Sequence, residues 1–472
     1  MKTSTPEMLG GLRDSLRGKV IAPGDDGYDA ARAVWNAMID RRPAVIVRPV
    51  DTSDVQTAVR AAAAHGLAVS VRGGGHNVAG AGVGEGSLMI DLSVMRTVDV
   101  DPETRIARVD GGATWGEVDR ATQAHGLATP GGLISDTGVG GLTLSGGIGW
   151  LRSAYGLPID NLVAAEVVTA DGSRVDVTKE GPHADLLWAL RGGGGNFGVV
   201  TRLDFGLHPL GPTVYFAAPV YALEDGPAPI RFWRDFLADK SDRVGSLVEF
   251  STIPADPGYP AEAWGKRVYT VAALFAGDAS EGEALLAPLL EQGPRVTDFS
   301  GLMPYVDVQQ LFDTVIPFGR HRCYWKSRYL ATLDDSTIDS ICDLNRRPPS
   351  PNTLSSIWAF GGATARVPAD ATAFRDRSMP WMVSLDAIWT APADDAANIA
   401  WAREGWDRVA PWAAGERIYL NFPGHGEDAS LIEQAVGAAN HRRLREIKRY
   451  YDPHNMFRFN QNIEPADLDR GD

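Results

Sequence analysis

The chain has 472 residues, a length typical of two or three domains, and its formal net charge is −15. Hydrophobic residues make up 44% and charged residues 22%, which excludes a mainly disordered protein. The acidic charge argues against a nucleic-acid partner, and no apolar run approaches the ~18 residues that a membrane span needs. No secretory signal is recognisable at the N-terminus, so the cytoplasm is the expected location.

The two cysteines, Cys323 and Cys342, are too few for a disulfide framework. Neither belongs to a CxxC pair or to a Cys/His pattern with the spacing of a zinc site. We therefore interpret both as buried thiols and expect no metal site.

The first predicted elements form a β-α-β unit over residues 43–72. Residues 43–49 and 67–72 have the short apolar pattern of buried strands. The helix between them is predicted to begin with Thr52 or Ser53 as its N-cap and to end at Gly66. Further strands are predicted at residues 88–92, 98–100, 106–109, 162–169, 173–177 and 199–207, and further helices at 114–125 and 186–190.

The chain changes character near residue 210, where glycine motifs give way to long strands, amphipathic helices and many Trp and Tyr residues. Core packing explains most of these aromatics, and the alternative is that a subset lines a pocket for a planar substrate. A last helix is predicted over residues 442–450. The predicted organisation is one domain over 1–210 with its core at about 40–210, a second domain over 211–415, and a C-terminal segment over 416–472.

A glycine-rich loop that carries a histidine directly follows the second predicted strand. The loop and its flanks are Arg72, Gly73, Gly74, Gly75, His76 and Asn77. Three glycines leave backbone N–H groups bare, which suits phosphate oxygens, and the arginine adds positive charge. The alternative interpretation is a surface loop that exposes a histidine.

Three further motifs follow in chain order, at residues 137–149 (TGVGGLTLSGGIG), 191–200 (RGGGGNFGVV) and 451–463 (YDPHNMFRFNQNI). The first of them contains a pattern close to that of a dinucleotide site. A Rossmann fingerprint, however, follows a strand near the start of a β-α-β unit, whereas this motif follows Pro130 in mid-domain. We therefore reject an NAD(P) site.

Together, the four motifs resemble those of FAD-linked oxidases of the berberine-bridge-enzyme-like group, within the vanillyl-alcohol-oxidase class of flavoproteins. The resemblance covers nearly the whole chain and includes the order and spacing of the motifs. It implies an α+β, two-domain PCMH-type FAD-binding fold with an antiparallel-sheet substrate domain capped by helices. It also implies that residues 1–210 bind FAD and that the C-terminal segment returns to this domain.

In this family the histidine of the RGGGH loop bonds covalently to the flavin, and His76 matches that position. A second bond often comes from a cysteine at the position that Ile134 occupies here, so the resemblance implies a single link. The residue before the GxGG glycines influences oxygen access, and Thr137 there has nearly the shape of the valine that admits oxygen. The resemblance therefore favours an oxidase over a dehydrogenase.

Further cofactor contacts follow from the same resemblance, although one of the asparagines in the last motif could instead cap a loop. The full set of implied cofactor residues is Arg72, Gly73, Gly74, Gly75, His76, Asn77, Thr137, Gly138, Val139, Gly140, Gly141, Gly146, Gly147, Asp160, Asn161, Val200, Asn460 and Asn462.

Tyr419, in a Tyr-x-Asn segment like that of the family, is a candidate base, with Thr137 beside the reacting edge of the flavin. A free phenol has a pKa near ~10, so Tyr419 would need a nearby cation or the oxidised flavin to act at pH 7. Tyr324 and Lys326 are the other catalytic candidates, and Lys326 could lower a phenol pKa or hold an anionic substrate. A solvated strand lysine is the alternative interpretation.

The implied reaction is hydride transfer from a small-molecule C–H bond to flavin N5, with reoxidation by O2 to hydrogen peroxide. Alcohols, amines and phenolic or polyketide-like metabolites are the expected substrates. Three alternatives stay open: a dehydrogenase with poor oxygen reactivity, a flavin-N5-oxide oxygenase of secondary metabolism, and a non-catalytic flavin-binding protein.

Overall fold

The structure is a computed structural model that describes residues 5–238, 242–427 and 431–467. Its helices are α1 (Thr5–Ser15), α2 (Tyr28–Arg32), α3 (Thr52–His65), α4 (Trp115–Gln123), α5 (Val139–Leu144), α6 (Arg152–Tyr155), α7 (Pro158–Asn161), α8 (Ala184–Leu190), α9 (Ala228–Ala238), α10 (Ala279–Leu286), α11 (Tyr305–Val308), α12 (Asp335–Asn345), α13 (Ala363–Arg366), α14 (Asp395–Arg408), α15 (Leu431–Val436) and α16 (Ala438–Tyr451).

Its strands are β1 (Lys19–Ile21), β2 (Val45–Arg48), β3 (Val69–Arg72), β4 (Leu88–Asp91), β5 (Val98–Asp101), β6 (Ile106–Asp110), β7 (Leu127–Ala128), β8 (Leu162–Val168), β9 (Arg174–Thr178), β10 (Val199–Gly206), β11 (His208–Pro209), β12 (Thr213–Ala217), β13 (Pro219–Ala222), β14 (Val244–Thr252), β15 (Arg267–Phe275), β16 (Thr297–Asp298), β17 (Gly301–Pro304), β18 (Arg322–Leu330), β19 (Leu354–Ala359) and β20 (Trp381–Trp389).

The predicted β-α-β unit is present, but its two strands are not neighbours. The first sheet has the order β1-β2-β4-β3, and both β2 and β3 run parallel to β4, which lies between them. The N-cap of α3 is Asp51, whose side chain accepts a bond from the Asp54 N–H, so the prediction of Thr52 or Ser53 was one or two residues late. Gly66 ends the helix in the left-handed region, as expected.

The second sheet is antiparallel, with the order β5-β6-β10-β8-β9. Helices α4, α8 and α16 contribute buried side chains to the core beside it, among them Trp115, Leu187 and Leu444. Because α16 comes from the C-terminal segment, the last part of the chain packs against the first half.

The strands after residue 210 form a separate antiparallel sheet, in which β16, β13, β15, β14, β19, β20 and β18 follow one another and β12 and β17 extend one side. This change of sheet coincides with the predicted domain boundary, which stays a prediction. Helices α9, α12 and α14 cover one face of the sheet with side chains such as Trp233, Ile341 and Trp401. The opposite face packs against the first half of the chain, so the predicted α+β class with a helix-capped antiparallel sheet is confirmed.

Both cysteines are free and buried, which confirms their interpretation as buried thiols. None of the helices in residues 5–238, 242–427 and 431–467 is long and apolar enough to cross a membrane. In the same ranges, no group of three or more His, Cys, Asp or Glu side chains is arranged to hold a metal ion.

Candidate active site

A large cavity lies between the glycine loops of the first half and the sheet of strands β12–β20, on the face that helices α9, α12 and α14 do not cover. We call this sheet the substrate-side sheet. The glycine loops contribute Gly73, Gly74, Gly75, His76, Asn77, Thr137, Gly138, Gly140, Gly141 and Gly195 to its lining. The sheet contributes Glu249, Trp325, Leu354, Ser356, Trp358 and Asp386, and later segments contribute Tyr419, Asn421, Phe422, Asn460 and Gln461. One continuous space therefore joins the glycine motifs to a polar and aromatic sheet face.

Two glycine loops cross with their backbones in contact at the floor of this cavity. A Cβ atom on Gly74 would lie 2.3 Å from the Gly138 nitrogen, and a Cβ on Gly138 would lie 2.2 Å from the Gly74 nitrogen. Gly75 has a φ of 72°, a conformation that favours glycine. Glycine at these positions lets the two motifs meet and brings their backbones to the cavity lining.

The His76 side chain is held at the cavity wall by three neighbours. Its ring stacks on Trp35 with centroids 5.4 Å apart. Nδ1 lies 3.4 Å from Thr137 Oγ1. Nε2 lies 2.8 Å from Asp136 Oδ1, although off the angle of a hydrogen bond, so this buried nitrogen has no hydrogen-bond partner. The ring is thus oriented at the cavity wall by Trp35, Thr137 and Asp136.

Arg72 lines the cavity, but its guanidinium already forms an ion pair within the protein. Its guanidinium donates to both oxygens of Asp91, at 3.2 and 2.6 Å, and to the Ala33 carbonyl at 2.6 Å. Burial would raise the pKa of Asp91, but Arg72 and Arg48 outweigh that effect and hold it below its usual value. The expected positive charge for a phosphate is therefore neutralised by Asp91.

Several predicted cofactor residues lie outside the cavity lining. The Val139 side chain belongs to the core because it begins α5 with its face turned inward. Gly146 and Gly147 are absent from the lining, and the Gly147 N–H instead donates to the Tyr419 hydroxyl at 2.9 Å. Asn462 does not line the cavity, although its buried Oδ1 lacks a partner.

Asp160 and Asn161, also predicted as cofactor contacts, have structural partners instead. The Asp160 carboxylate receives two 2.7 Å bonds from Arg377, and the Asn161 amide donates to the Tyr155 and Leu157 carbonyls. The pair fixes the turn around α7. Val200 and Asn460, by contrast, line the cavity, and their contact with a cofactor stays a prediction.

Tyr419 lies in the cavity wall with its hydroxyl oxygen accepting two hydrogen bonds. The donors are the Gly147 N–H and the Asn421 amide, the latter at 2.7 Å. Burial raises the pKa of the phenol above its usual value, and the two donors only partly oppose this effect. Tyr419 is thus well placed to contact a substrate, but the phenolate form that could act as a base is scarce at neutral pH.

Tyr324 and Lys326 do not line the cavity, because they face the helix-covered side of β18. Both side chains bond to Glu427, with Lys326 Nζ at 2.9 Å from Oε2. Arg403 donates to the Tyr324 hydroxyl at 2.9 Å. Burial and the bond to Glu427 raise the pKa of Tyr324, so neither residue is placed for the predicted catalytic role.

Two buried carboxyl groups on the cavity face were missed by the sequence reasoning. Glu249 accepts a hydrogen bond from the Ser356 hydroxyl, and Asp386 accepts one from Ser384 at 2.9 Å. Burial raises the pKa of Asp386 to about 7 and that of Glu249 well above its usual value. Their signal in the sequence is a single acidic residue inside an otherwise apolar strand pattern.

The residues present fit a bound FAD. Buried polar atoms without partners, His76 Nε2 and Asn460 Oδ1, belong to residues that line the cavity. The crossing at Gly74 and Gly138 places glycine backbone without side chains along the cavity, where a large ligand can approach closely. The cavity extends from this crossing to the sheet face, which leaves room for a substrate beside the cofactor.

Comparison with known proteins agrees with this fit. Residues 43–178 match the family model of an FAD binding domain, and residues 419–464 match the model described as berberine and berberine like. The FAD-linked oxidoreductase YgaK of Bacillus subtilis is 31% identical over 466 residues, which cover 96% of this chain and 98% of the relative. The (R)-6-hydroxynicotine oxidase of Paenarthrobacter nicotinovorans is 30% identical, with 96% and 97% covered.

Among solved structures, 6-hydroxy-D-nicotine oxidase from Arthrobacter nicotinovorans has a TM-score of 0.84 and 28% identity, covering 96% of this chain and 99% of that one. Physcomitrella patens BBE-like 1 has a TM-score of 0.85 at 21% identity, covering 99% of this chain and 100% of that one, and it supports the fold alone. The chain is therefore an enzyme of the FAD-linked oxidoreductase family and belongs to its berberine-bridge-enzyme-like group.

Proposed function

We propose that the enzyme is an oxidase that removes a hydride from a C–H bond of a small molecule and passes the electrons to O2, which yields hydrogen peroxide. Bound FAD supplies the two-electron acceptor. The observation that carries this proposal is the continuous cavity, which joins His76 and the glycine crossing to a sheet face with acidic and aromatic side chains. The relative named as an oxidase, 30% identical over nearly the whole chain, supports oxygen as the final acceptor.

We further propose that His76 carries FAD through a single covalent bond. Its ring lines the cavity, and the buried Nε2 is without a hydrogen-bond partner. Trp35 and Asp136 fix the ring, which lowers the entropy lost when the bond forms. Ile134 also lines the cavity, at the position where a second, cysteinyl link would need a thiol.

Asp386 and Tyr419 are the candidates for taking a proton from the substrate. A pKa of about 7 gives Asp386 a carboxylate form at neutral pH that is still basic enough to accept a proton. The phenol of Tyr419 is already the acceptor of two hydrogen bonds and has a raised pKa. We assign proton acceptance to Asp386 and substrate contact to Tyr419.

The covalent link is tested by acid precipitation of the purified holoenzyme and by its intact mass. We expect a yellow pellet and the added mass of one FAD, both lost in His76→Ala. The matched control is His125→Ala, which removes an exposed histidine outside the cavity and should leave both signals unchanged. Flavin that stays in the supernatant of the unaltered enzyme would overturn the covalent link but not FAD binding.

The oxidase assignment is tested with an oxygen electrode and a panel of alcohols, amines and phenols. Oxygen uptake that is matched by hydrogen peroxide is the expected result. Rapid dye reduction with slow oxygen uptake would identify a dehydrogenase. Incorporation of oxygen atoms from labelled O2 into the product would identify an oxygenase, and FAD retention without turnover of any compound would favour a binding protein.

A further inference from the structure

The face of the sheet that closes the cavity opposite the glycine loops carries two buried acids. Glu249 on β14 and Asp386 on β20 both line the cavity and are less than one tenth exposed. Strand register connects them, since Glu249 pairs with Ser356 and Ser356 pairs with Ser384, two residues before Asp386. Both acids therefore lie on the same face of the sheet and line the same cavity.

The hydrogen bonds of these two acids leave acceptor capacity unused. Each carboxyl group accepts one serine hydroxyl, Ser356 for Glu249 and Ser384 for Asp386. The Trp358 indole N–H donates to Ser384 at 3.2 Å, which orients that hydroxyl toward Asp386. The second oxygen of Asp386 is buried and has no partner. A buried acceptor in this state is costly unless a ligand completes it.

No basic side chain in the described lining compensates the two acids. The basic residues there are Arg72 and His76, and Arg72 is paired with Asp91. The positive charge of Arg267 lowers the pKa of Glu249, but Arg267 is not on the cavity face. Successive side chains of β15 alternate between the two faces, and Arg267 belongs to the set that faces the helices. Lys326 faces that same side and is paired with Glu427, so the described lining offers no unpaired basic side chain to the ionised forms of these acids.

Aromatic rings stand beside the acids. Trp325 on β18 is the direct cross-strand partner of Asp386, and both line the cavity. Phe422 packs edge-on against Trp325, with ring centroids 5.2 Å apart, and lies 6.3 Å from Trp358. Aromatic faces attract cations as well as planar groups, so these rings would stabilise a bound cation in addition to the carboxylates.

We propose that the substrate carries a basic nitrogen, protonated in water, that binds between Asp386, Glu249 and the aromatic rings of Trp325 and Trp358. This inference rests on the proposed function, because it names the substrate class of the same cavity. The ligand class is an aliphatic amine, or another amine that is basic enough to be protonated near pH 7.

The alternatives to a cation agree less well with these residues. An anionic substrate would be repelled by Asp386 whenever that acid is ionised, and it would further disfavour ionisation of Glu249. A neutral alcohol could bond to the free oxygen of Asp386, but it would supply no counter-charge to the ionised form of that acid, which is unfavourable in a low-dielectric site. A cation stabilises the ionised carboxylates and reverses the effect of burial, which holds the pKa of Asp386 at about 7 in the ligand-free protein.

The test compares two ligands of equal shape on the FAD-loaded enzyme: the permanent cation (3-hydroxyphenyl)trimethylammonium and its neutral counterpart 3-tert-butylphenol. Neither offers an oxidisable C–H bond next to a free amine or alcohol, so binding is measured without turnover. We expect the cation to bind at least ~10-fold more tightly, as followed by the visible flavin spectrum and by calorimetry. Equal binding, or tighter binding of the neutral phenol, would overturn the proposal.

Variants of the two acids test whether these side chains cause the tighter binding of the cation. In Asp386→Asn and in Glu249→Gln, we expect the advantage of the cation to fall, to within about threefold in the double variant. Glu283→Gln, the same chemical change at an exposed position on α10, should retain the full preference. A full preference in the double variant, with FAD still bound, would contradict the inference.

A second measurement needs no variant. Near pH 7, binding of the permanent cation should release a fraction of a proton from the acid pair, seen as a dependence of the calorimetric heat on the ionisation enthalpy of the buffer. Binding without proton release would also contradict the proposal. Because neither ligand is oxidised, these results are independent of oxygen uptake, so a failure of the oxidase assignment is distinguishable from a failure of the amine assignment.

Discussion

Asp386 and Tyr419 line the same cavity, but their side-chain oxygens differ in how many hydrogen bonds they accept. One oxygen of Asp386 has no partner, whereas the Tyr419 oxygen already accepts two N–H donors. Burial raises the pKa of both groups, to about 7 for Asp386 and well above its usual value for Tyr419. At the scale of single residues, the acid is therefore the better proton acceptor.

Replacing Asp386 with Asn should reduce kcat/KM at least ~100-fold, as expected for the loss of a general base. In the unaltered enzyme kcat/KM should rise with pH through about 7, because deprotonation of Asp386 creates the acceptor. This rise of kcat/KM with pH should be absent in Asp386→Asn. Steady-state oxygen uptake between pH 5 and 9 measures both effects.

Tyr419→Phe is the comparison variant at this scale. It removes the hydroxyl that Gly147 and Asn421 hold in place, and a loss below tenfold in kcat/KM is expected from lost substrate contact. A loss of ~100-fold or more in Tyr419→Phe, together with a loss below threefold in Asp386→Asn, would return the role of base to Tyr419.

At the scale of elements, the site depends on the loop after β3 crossing the loop before α5. Gly74 and Gly138 form this contact through backbone atoms alone, so a side chain on either must push the loops apart. His76 follows Gly74 by two residues, and Thr137 precedes Gly138. A shift at the crossing therefore displaces His76 and Thr137 relative to each other.

Gly74→Ala should thus impair FAD loading and activity with the overall fold retained. A displacement near 1 Å at a reacting group typically costs ~100-fold in rate, and we expect a loss of that order in kcat/KM. Gly301→Ala is the matched control, since a Cβ on Gly301 meets no atom within 4 Å. The ratio of flavin to protein absorbance measures loading, and equal loading in both variants would contradict the importance of this crossing.

Strand alternation also explains which candidates reach the cavity. Successive side chains of a strand point to opposite faces. On β18 this places Trp325 in the cavity and Tyr324 and Lys326 under the helices. The segment could be recognised in the sequence, but its facing depends on which side of the sheet the helices cover.

At the scale of the whole molecule, Arg152 ties the two halves of the chain together. It is fully buried and donates to the carbonyls of Gly149, Ser246 and Ala359. Ser246 and Ala359 belong to strands of the substrate-side sheet, while Arg152 begins α6 of the first half. The cavity between the halves therefore depends on this side chain.

Arg152→Ala should lower the free energy of unfolding by about 3 kcal/mol or more, because it removes three buried hydrogen bonds that the guanidinium donates to carbonyls of both halves. Urea unfolding of the FAD-loaded protein measures this loss. Arg108→Ala is the control, since Arg108 forms an exposed ion pair with Asp99, and its loss should cost less than about 1 kcal/mol. Similar losses in the two variants would contradict the role of Arg152.

The sequence by itself determined the family, the mixed fold and the glycine motifs, because these depend on local chain signals: apolar periodicity, bare glycine loops and their order. It also pointed to His76 and Tyr419 in the cavity. Short-range patterns could not reveal that Arg72 is neutralised by Asp91 or that Asp160 pairs with Arg377, because these partners are remote in the chain or depend on strand pairing.

The acidic face of the cavity was decided by tertiary structure alone. Glu249 and Asp386 are far apart in the sequence, and each is a single acid within an apolar strand. Only the register of β14, β19 and β20 brings them to one face, and only the helices on the opposite face direct them into the cavity. Local sequence determines which segments become strands, whereas long-range pairing and packing determine which of their side chains meet.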